Sequence, residues 1–445
     1  MKVAIINQYS SAGGGSRFLR ALVSALAKNY PNLEIGLFVD INAIERDDLK
    51  GLFSKNNNVK IFPLNKGNKE SDISNDLQIK KNSIKENLKK VLKKNAFITK
   101  IGQFFKFKIL GKEGLWCKFQ LNKEAIDELN NYDVVYLAWP YFIEPVKLTS
   151  PVVATFHDFN FKYDYGNFDE VALKILDRQV SAWLKICRVV TSSTPFIQKE
   201  MEKFYPGIAK DKKVIFLSTF KITNPGEEDI QKVVKKFNLP KDYILCPSNT
   251  SLHKNLKNLL MAYGELKKQN FKIPLVLVGF GTDDINLFRR NGFSKNDPRY
   301  NYFKALNKII DDGKLKPGKD IKLLGYVTDE EVDALISGAR LVLSPSLYEA
   351  GSGPGLDAWK TGTPVAFSDI PPFLEQLNFL GTKAWIFDPK NPQDIAQKIN
   401  QAIIQKAKSL AMVQESKRAI DKYTWDKVAK GYHKVFEEAV RRRKN

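Results

Sequence analysis

The sequence predicts an α/β protein of two domains, and three observations carry that reading. Short apolar runs alternate with stretches of helical spacing along most of the chain, which is the pattern of βα units on a parallel sheet. At 445 residues, 43% of them hydrophobic, the chain is long enough for two cores of ordinary size. A stretch from Lys221 to Lys241 holding Pro225, Gly226 and Pro240 reads as the connection between them.

The first strand is Val3–Ile6, followed by Gly13, Gly14 and Gly15 and then by Arg17, Phe18, Leu19, Leu22, Val23 and Leu26 at helical spacing. This strand–glycine loop–helix unit lacks a full GxGxxG, so a dinucleotide reading is weak, and a tight turn explains the glycines equally well. Further strands are expected at Glu34–Val39 and Val59–Pro63. The rhythm then breaks over residues 66–123. Ile84, Leu88, Val91, Leu92 and Ala96 form an apolar stripe among lysines, and a Phe-rich segment follows. Lys80–Lys112 holds eleven lysines and one acid, Glu86. Two readings stand: a basic amphipathic segment for an anionic membrane surface, or a helical insertion packed on its own domain.

Strands resume at Tyr132–Trp139 and Pro151–Phe156, and His157-Asp158 stands at the carboxyl end of the second, where open α/β sheets place ligands. A structural histidine is the alternative there. Val189–Phe196 supplies a strand and turn, and Val214–Leu217 is expected to close the first sheet. The second half opens with Tyr243–Pro247, whose loop carries Ser248, Asn249, His253 and Lys254 into a helix with Leu256, Leu259, Leu260 and Tyr263 on one side. A lysine there opposes the helix dipole unless an anion joins it, although a solvated lysine is the commoner case. Pro274–Val278 leads into Gly279-Phe280-Gly281, with an apparent insertion at Asn286–Asn307. Ile321–Val327 is a strand and turn containing Tyr326 and Val327, and Thr328 with Glu331 makes a capping box.

Ser344–Ile370 is the most informative stretch. The strand Ala339–Leu343 delivers Glu349 and a turn with Gly351, Ser352, Gly353, Pro354 and Gly355 into a helix that stops at Gly362. Pro354 suits a first helical turn, and a glycine-lined helix N-terminus favours a phosphate. Glu349 and Asp357 can both face such a ligand and accept from hydroxyls; solvated acids beside an ordinary turn are the alternative. The chain ends with the strand Ala384–Pro389, helical stretches at Asp394–Ala407 and Leu410–Ile420, and a final helix after Tyr423-Thr424-Trp425.

The motif S-P-S-L-Y-E-x7-D-A-x3-G-T-P-V resembles the signature of retaining nucleotide-sugar glycosyltransferases of the GT-B fold, family four. The T-F-H-D, H-K-N-L, V-G-x-G, G-Y-V and closing T-W segments follow in that family's order. Asp357 replaces the family's usual second Glu, A-G-S-G-P replaces G-F-G-L-P, and Ser248-Asn249 stands where many members carry an Arg. The resemblance implies two doubly wound, Rossmann-like α/β domains facing across a cleft. It implies residues 1–222 on the acceptor side, 223–421 on the donor side and 422–445 as a helix returning to the first domain. It assigns the catalytic positions to Glu349, His157 and Lys254. Gly279, Gly281, Tyr326, Val327, Ser352, Gly353, Asp357 and Ser248 fall on the donor, with Asp357 at the ribose, and Gly13, Gly14 and Gly15 fall in the acceptor-side loop.

The remaining expectations concern partners and exclusions. Three widely spaced cysteines without CxxC argue against a disulfide framework or thiolate zinc site. No cofactor and no metal are expected: Asp-x-Asp is absent, the three histidines lie far apart, and G-x4-G-K-[ST] is missing. The net charge of +22 draws the protein to polyanions, but no zinc-finger, RNP-like or helix-turn-helix pattern accompanies it. A nucleic-acid-binding protein and a GT-B binder without transferase activity are the rivals. The expected partners are a nucleotide-sugar, a carbohydrate, lipid-linked or protein acceptor, and an anionic membrane met by Lys80–Lys112. With a strand at its start and no run of about 18 apolar residues, the chain is expected in the cytoplasm, peripheral at the inner face of the membrane.

Overall fold

The computed structural model describes residues 1–7, 14–39, 58–64, 119–163, 170–209, 211–220, 225–295 and 297–442. Gly13 and the lysine-rich stretch Lys80–Lys112 lie outside the described residues, as does Cys117. The first domain carries β1 (Lys2–Asn7), β2 (Glu34–Val39), β3 (Val59–Pro63), β4 (Val134–Leu137), β5 (Val152–Thr155), β6 (Val189–Ser192) and β7 (Lys212–Val214). They form one sheet in the order β3-β2-β1-β4-β5-β6-β7. The second domain carries β8 (Ile244–Pro247), β9 (Leu275–Val278), β10 (Ile321–Leu323), β11 (Leu341–Ser344), β12 (Val365–Ser368) and β13 (Trp385–Phe387), in the order β10-β9-β8-β11-β12-β13. The ladders are parallel, with Ile5 opposite both Leu37 and Tyr136, and Leu343 opposite Ala366. Central strands such as β4, β5 and β6 are buried along their whole length, because helices cover both faces.

In each sheet the strand order reverses beside its first strand, between β1 and β4 and between β8 and β11. These are the switch points where crevices open at the carboxyl ends. The final helix, Trp425–Arg441, leaves the second domain and packs on helix Gly14–Asn29 of the first. Its Tyr432 reaches Thr155 at 3.0 Å, and Trp425 donates to the Thr219 carbonyl at 2.7 Å.

Two expectations require correction. The run Val214–Leu217 is not the closing strand, which ends at Val214. Ile215 is buried in the first core beside Gly431, and Phe216 stacks on Phe379 at 3.9 Å, so packing outside the sheet explains this apolar run. Lys221–Lys241 is not all connection, since Glu227–Lys236 is a helix. Acids in its first turn and lysines in its last suit the helix dipole, and it packs on helix Asp329–Gly338. Asn286–Asn307 is largely helical, within Asp284–Asn291 and Tyr300–Asp312, and Arg299 joins the two through Asp284 at 2.7 Å.

Candidate active site

A cavity of about 590 Å³ lies between the domains at both switch points. From the first domain Gly14, Gly15 and His157 line it; from the second come Ser248, Lys254, Gly279, Tyr326 and Val327. Glu349, Ser352 and Gly353 complete the set of sequence-predicted residues on its wall. Gly281 and Asp357 do not line it.

The loop after β8 places Lys254. A single 3-10 turn, Leu252–Lys254, ends at Asn255, which adopts a left-handed conformation with φ 61°. The Asn255 amide pins that turn by donating to the carbonyls of Pro345 at 2.9 Å and Pro389 at 2.7 Å. The His253 carbonyl accepts from the Leu347 N–H at 2.7 Å, which ties this loop to the one bearing Glu349. Gly279, at φ 138°, lets the loop after β9 press on the same region: a Cβ there would lie 2.4 Å from the Ser248 carbonyl oxygen. Gly281 supports this loop from behind, its own Cβ position being 2.7 Å from the Thr250 hydroxyl.

Glu349 meets Lys254 at 2.5 Å and accepts from the Ser346 hydroxyl at 2.7 Å. Burial opposes ionisation of Glu349, but the Lys254 ammonium, His253 and these two hydrogen bonds overcome it and hold the carboxyl below its ordinary value. The site therefore contains an ion pair at neutral pH. Immediately beyond it, Ser352 caps helix Gly353–Thr361 by accepting from the Gly355 N–H at 3.1 Å. Ser352, Gly353 and Pro354 bring this helix N-terminus to the cavity, an arrangement that suits an anion.

His157 is held between Trp139, stacked at 4.4 Å, and the edge of Phe18 at 5.0 Å. Its Nε2 lies 2.9 Å from the Ala138 carbonyl, which can only accept; Nε2 therefore carries the proton and Nδ1 is left as an acceptor. Burial lowers its pKa to about 4, against the pull of that carbonyl, so the ring is neutral at pH 7. Burial also lowers His253 to about 4.

Asp158, on the same wall, is raised from 3.8 to about 6, first by burial and further by the Glu349 charge. Folding thus favours its protonated form, and stability falls as pH rises from about 4 to about 6. Asp158→Asn should raise the thermal midpoint at pH 7.5 and change it little at pH 3.5. At 1.36 kcal/mol per pKa unit the gain is at most about 3 kcal/mol. Paired melts of both proteins at the two pH values check this; a gain that is equal at both would remove the titration as its cause.

Asp357 departs from its expected place. Its carboxylate is 1% exposed, accepting from the Thr219 hydroxyl at 2.7 Å and the Phe220 N–H at 2.8 Å, and lying 3.1 Å from Arg17 Nη2. The side chain is turned to the interdomain connection. Burial raises its pKa, with Arg17 and the two hydrogen bonds opposing. Sequence reasoning passed over Arg17 and Trp139, which both line the cavity. Arg17 follows the glycine loop by two residues, which was an available signal; Trp139 had only its position at the end of a strand. Among the described residues no group of three His, Cys, Asp or Glu side chains is placed to hold a metal ion.

Two Rossmann-like domains with parallel sheets, facing across a cavity lined from both sides, define the GT-B class. Residues 227–419, nearly all of the second unit, match the family glycosyl transferases group 1. An uncharacterized glycosyltransferase, MJ1607, of Methanocaldococcus jannaschii is 29% identical over 121 residues, 27% of this chain and 31% of that protein. O-antigen chain mannosyltransferase B of Escherichia coli is 25% identical over 283 residues, 62% of this chain and 67% of that one. The crystal structure of Anabaena HepE in complex with UDP and glucose superposes with a TM-score of 0.63 at 15% identity, covering 98% of this chain and 100% of that one.

Proposed function

We propose that the protein transfers a sugar from a nucleotide-sugar to an acceptor hydroxyl, with retention of anomeric configuration, in the assembly of a polysaccharide, glycolipid or glycoprotein glycan. The observation that carries this reading is the Lys254–Glu349 pair set beside the N-terminus of helix Gly353–Thr361 on the cavity wall. One cation and one helix end together suit a diphosphate, and an adjacent ionised carboxylate suits sugar hydroxyls. The matched family, an O-antigen mannosyltransferase among the relatives and a similar fold that holds UDP and glucose support it.

In this reading the donor diphosphate lies against Lys254 and the Ser352–Gly353 turn, with the sugar turned toward Glu349 and His157. The bond from the anomeric carbon to the phosphate oxygen breaks while the acceptor oxygen bonds to that carbon on the same face. The acceptor proton passes to the departing phosphate oxygen. Lys254 and the helix end stabilise the charge that grows on the leaving group, an effect made in the transition state. Neutral His157 offers Nδ1 to a sugar hydroxyl without adding charge. Lys80–Lys112 would draw the acceptor domain to an anionic leaflet by charge alone. No described helix is long and apolar enough to cross a membrane.

The test is release of nucleoside diphosphate from a panel of UDP- and GDP-sugars, with acceptor glycans added. Donor-dependent release that requires Glu349 supports transfer, and no release from any donor with any acceptor counts against it. Activity should also persist after exhaustive chelation with EDTA, since a lysine and a helix end serve the leaving group. Loss that magnesium or manganese alone restores would contradict that part.

A further inference from the structure

The charges on the cavity wall do not match its proposed ligand. Of the described residues that line it, Arg17 and Lys254 are the cations, against Asp158, Asp329 and Glu349. Lys254 is already paired with Glu349 at 2.5 Å. A diphosphate diester brings about two negative charges to a site whose one matched cation is spoken for. The chain as a whole carries +22, so the deficit belongs to the cavity and not to the protein.

Arg17 is placed to meet that deficit. It rises from the first turn of helix Gly14–Asn29, and its side chain is 11% exposed. Nη2 donates to the Phe220 carbonyl at 3.1 Å and to Asp333 at 3.3 Å, and also lies 3.1 Å from Asp357. Nε is buried without a hydrogen-bond partner; Asp329 lies 4.0 Å from it and is held by Arg20. The Phe220 ring joins Arg17 to the anion end of the facing helix. The guanidinium carbon stands 5.9 Å from the ring centroid, and the same ring lies 3.2 Å from the Cβ position of Gly353.

We propose that Arg17 is the second cation of the diphosphate site. Without donor, Asp333 and Asp357 hold the guanidinium through Nη2; the donor phosphates take its unpartnered Nε edge and draw it from those carboxylates. The inference rests on the transferase reading and names which first-domain side chain the donor recruits. It also predicts that Asp333 and Asp357 hold Arg17 back, because they compete with phosphate for one guanidinium.

The experiment is calorimetric titration of the full chain with UDP, GDP, UMP and GMP, comparing the parent with Arg17→Ala, Arg17→Lys and Asp333→Asn. Arg17→Ala should weaken the diphosphate that the parent prefers by about tenfold or more, and the matching monophosphate by less. Arg17→Lys, which keeps the charge, should lose less and guards against a folding artefact. Asp333→Asn should bind the diphosphate as tightly as the parent or tighter. A strap that merely joins the domains predicts the opposite, with Asp333→Asn weakening binding as Arg17→Ala does, and that result overturns the proposal. So does equal affinity of Arg17→Ala and the parent. If the parent binds no nucleotide at all, the transferase reading itself fails, and this inference with it.

Discussion

Glu349→Gln should cut sugar transfer by about 10²–10³-fold, the cost typical of removing one group aimed at transition-state charge, while leaving nucleoside diphosphate binding intact or tighter. Gln has nearly the same shape, and its carbonyl oxygen can still accept from Ser346, now 2.7 Å from Glu349. The charge is what disappears. Lys254 then loses the carboxylate 2.5 Å away, and its ammonium is left wholly to an incoming phosphate. Turnover and affinity should therefore move in opposite directions, a split that general damage to the fold does not produce. Rate measurements with saturating donor, alongside titration with free UDP and GDP, check it. Unchanged turnover would take Glu349 out of the reaction.

Much of this site was legible because its signals are local. A strand, an acid, a glycine-lined turn and a proline-started helix are consecutive, so Glu349, Ser352 and Gly353 could be placed together from spacing and turn chemistry. The two-domain α/β architecture was legible for a similar reason, since strands buried on both faces read as continuous apolar runs. What escaped depends on residues far apart in the chain. Asp357 looks like a second ligand carboxylate by its separation from Glu349, yet Thr219, Phe220 and Arg17 claim it across the domain boundary. Spacing within a helix cannot report a partner that lies more than a hundred residues away. Arg17 looked like an ordinary cation on an amphipathic helix, and only the facing domain gives it a role. Ile215 and Phe216 read as strand because apolar runs do not say whether a sheet or a neighbouring helix buries them.

Lys254→Ala should weaken nucleoside diphosphate binding by about 10–100-fold and should also destabilise the fold, with a pH dependence that separates the two effects. In the parent, Lys254 is the main influence that overcomes burial and holds the Glu349 carboxyl below its ordinary value of 4.5. A carboxyl depressed in this way contributes stability above its unfolded value, and the contribution is lost as pH falls through the folded one. Without the ammonium, burial dominates and the sign reverses: Glu349 becomes a penalty that grows as pH rises above about 4.5. The variant should therefore melt lower than the parent at pH 7.5 and approach it near pH 4. About 1–3 kcal/mol is expected at neutral pH, less than for a fully buried pair, because the two side chains are 21% and 18% exposed. The double variant Lys254→Ala/Glu349→Gln should recover most of that stability at pH 7.5, since no unpaired charge remains, yet should bind UDP and GDP no better than Lys254→Ala alone. Recovery of stability together with affinity would mean that Lys254 serves only Glu349. Unchanged nucleotide affinity in the single variant would remove the lysine from the phosphate site.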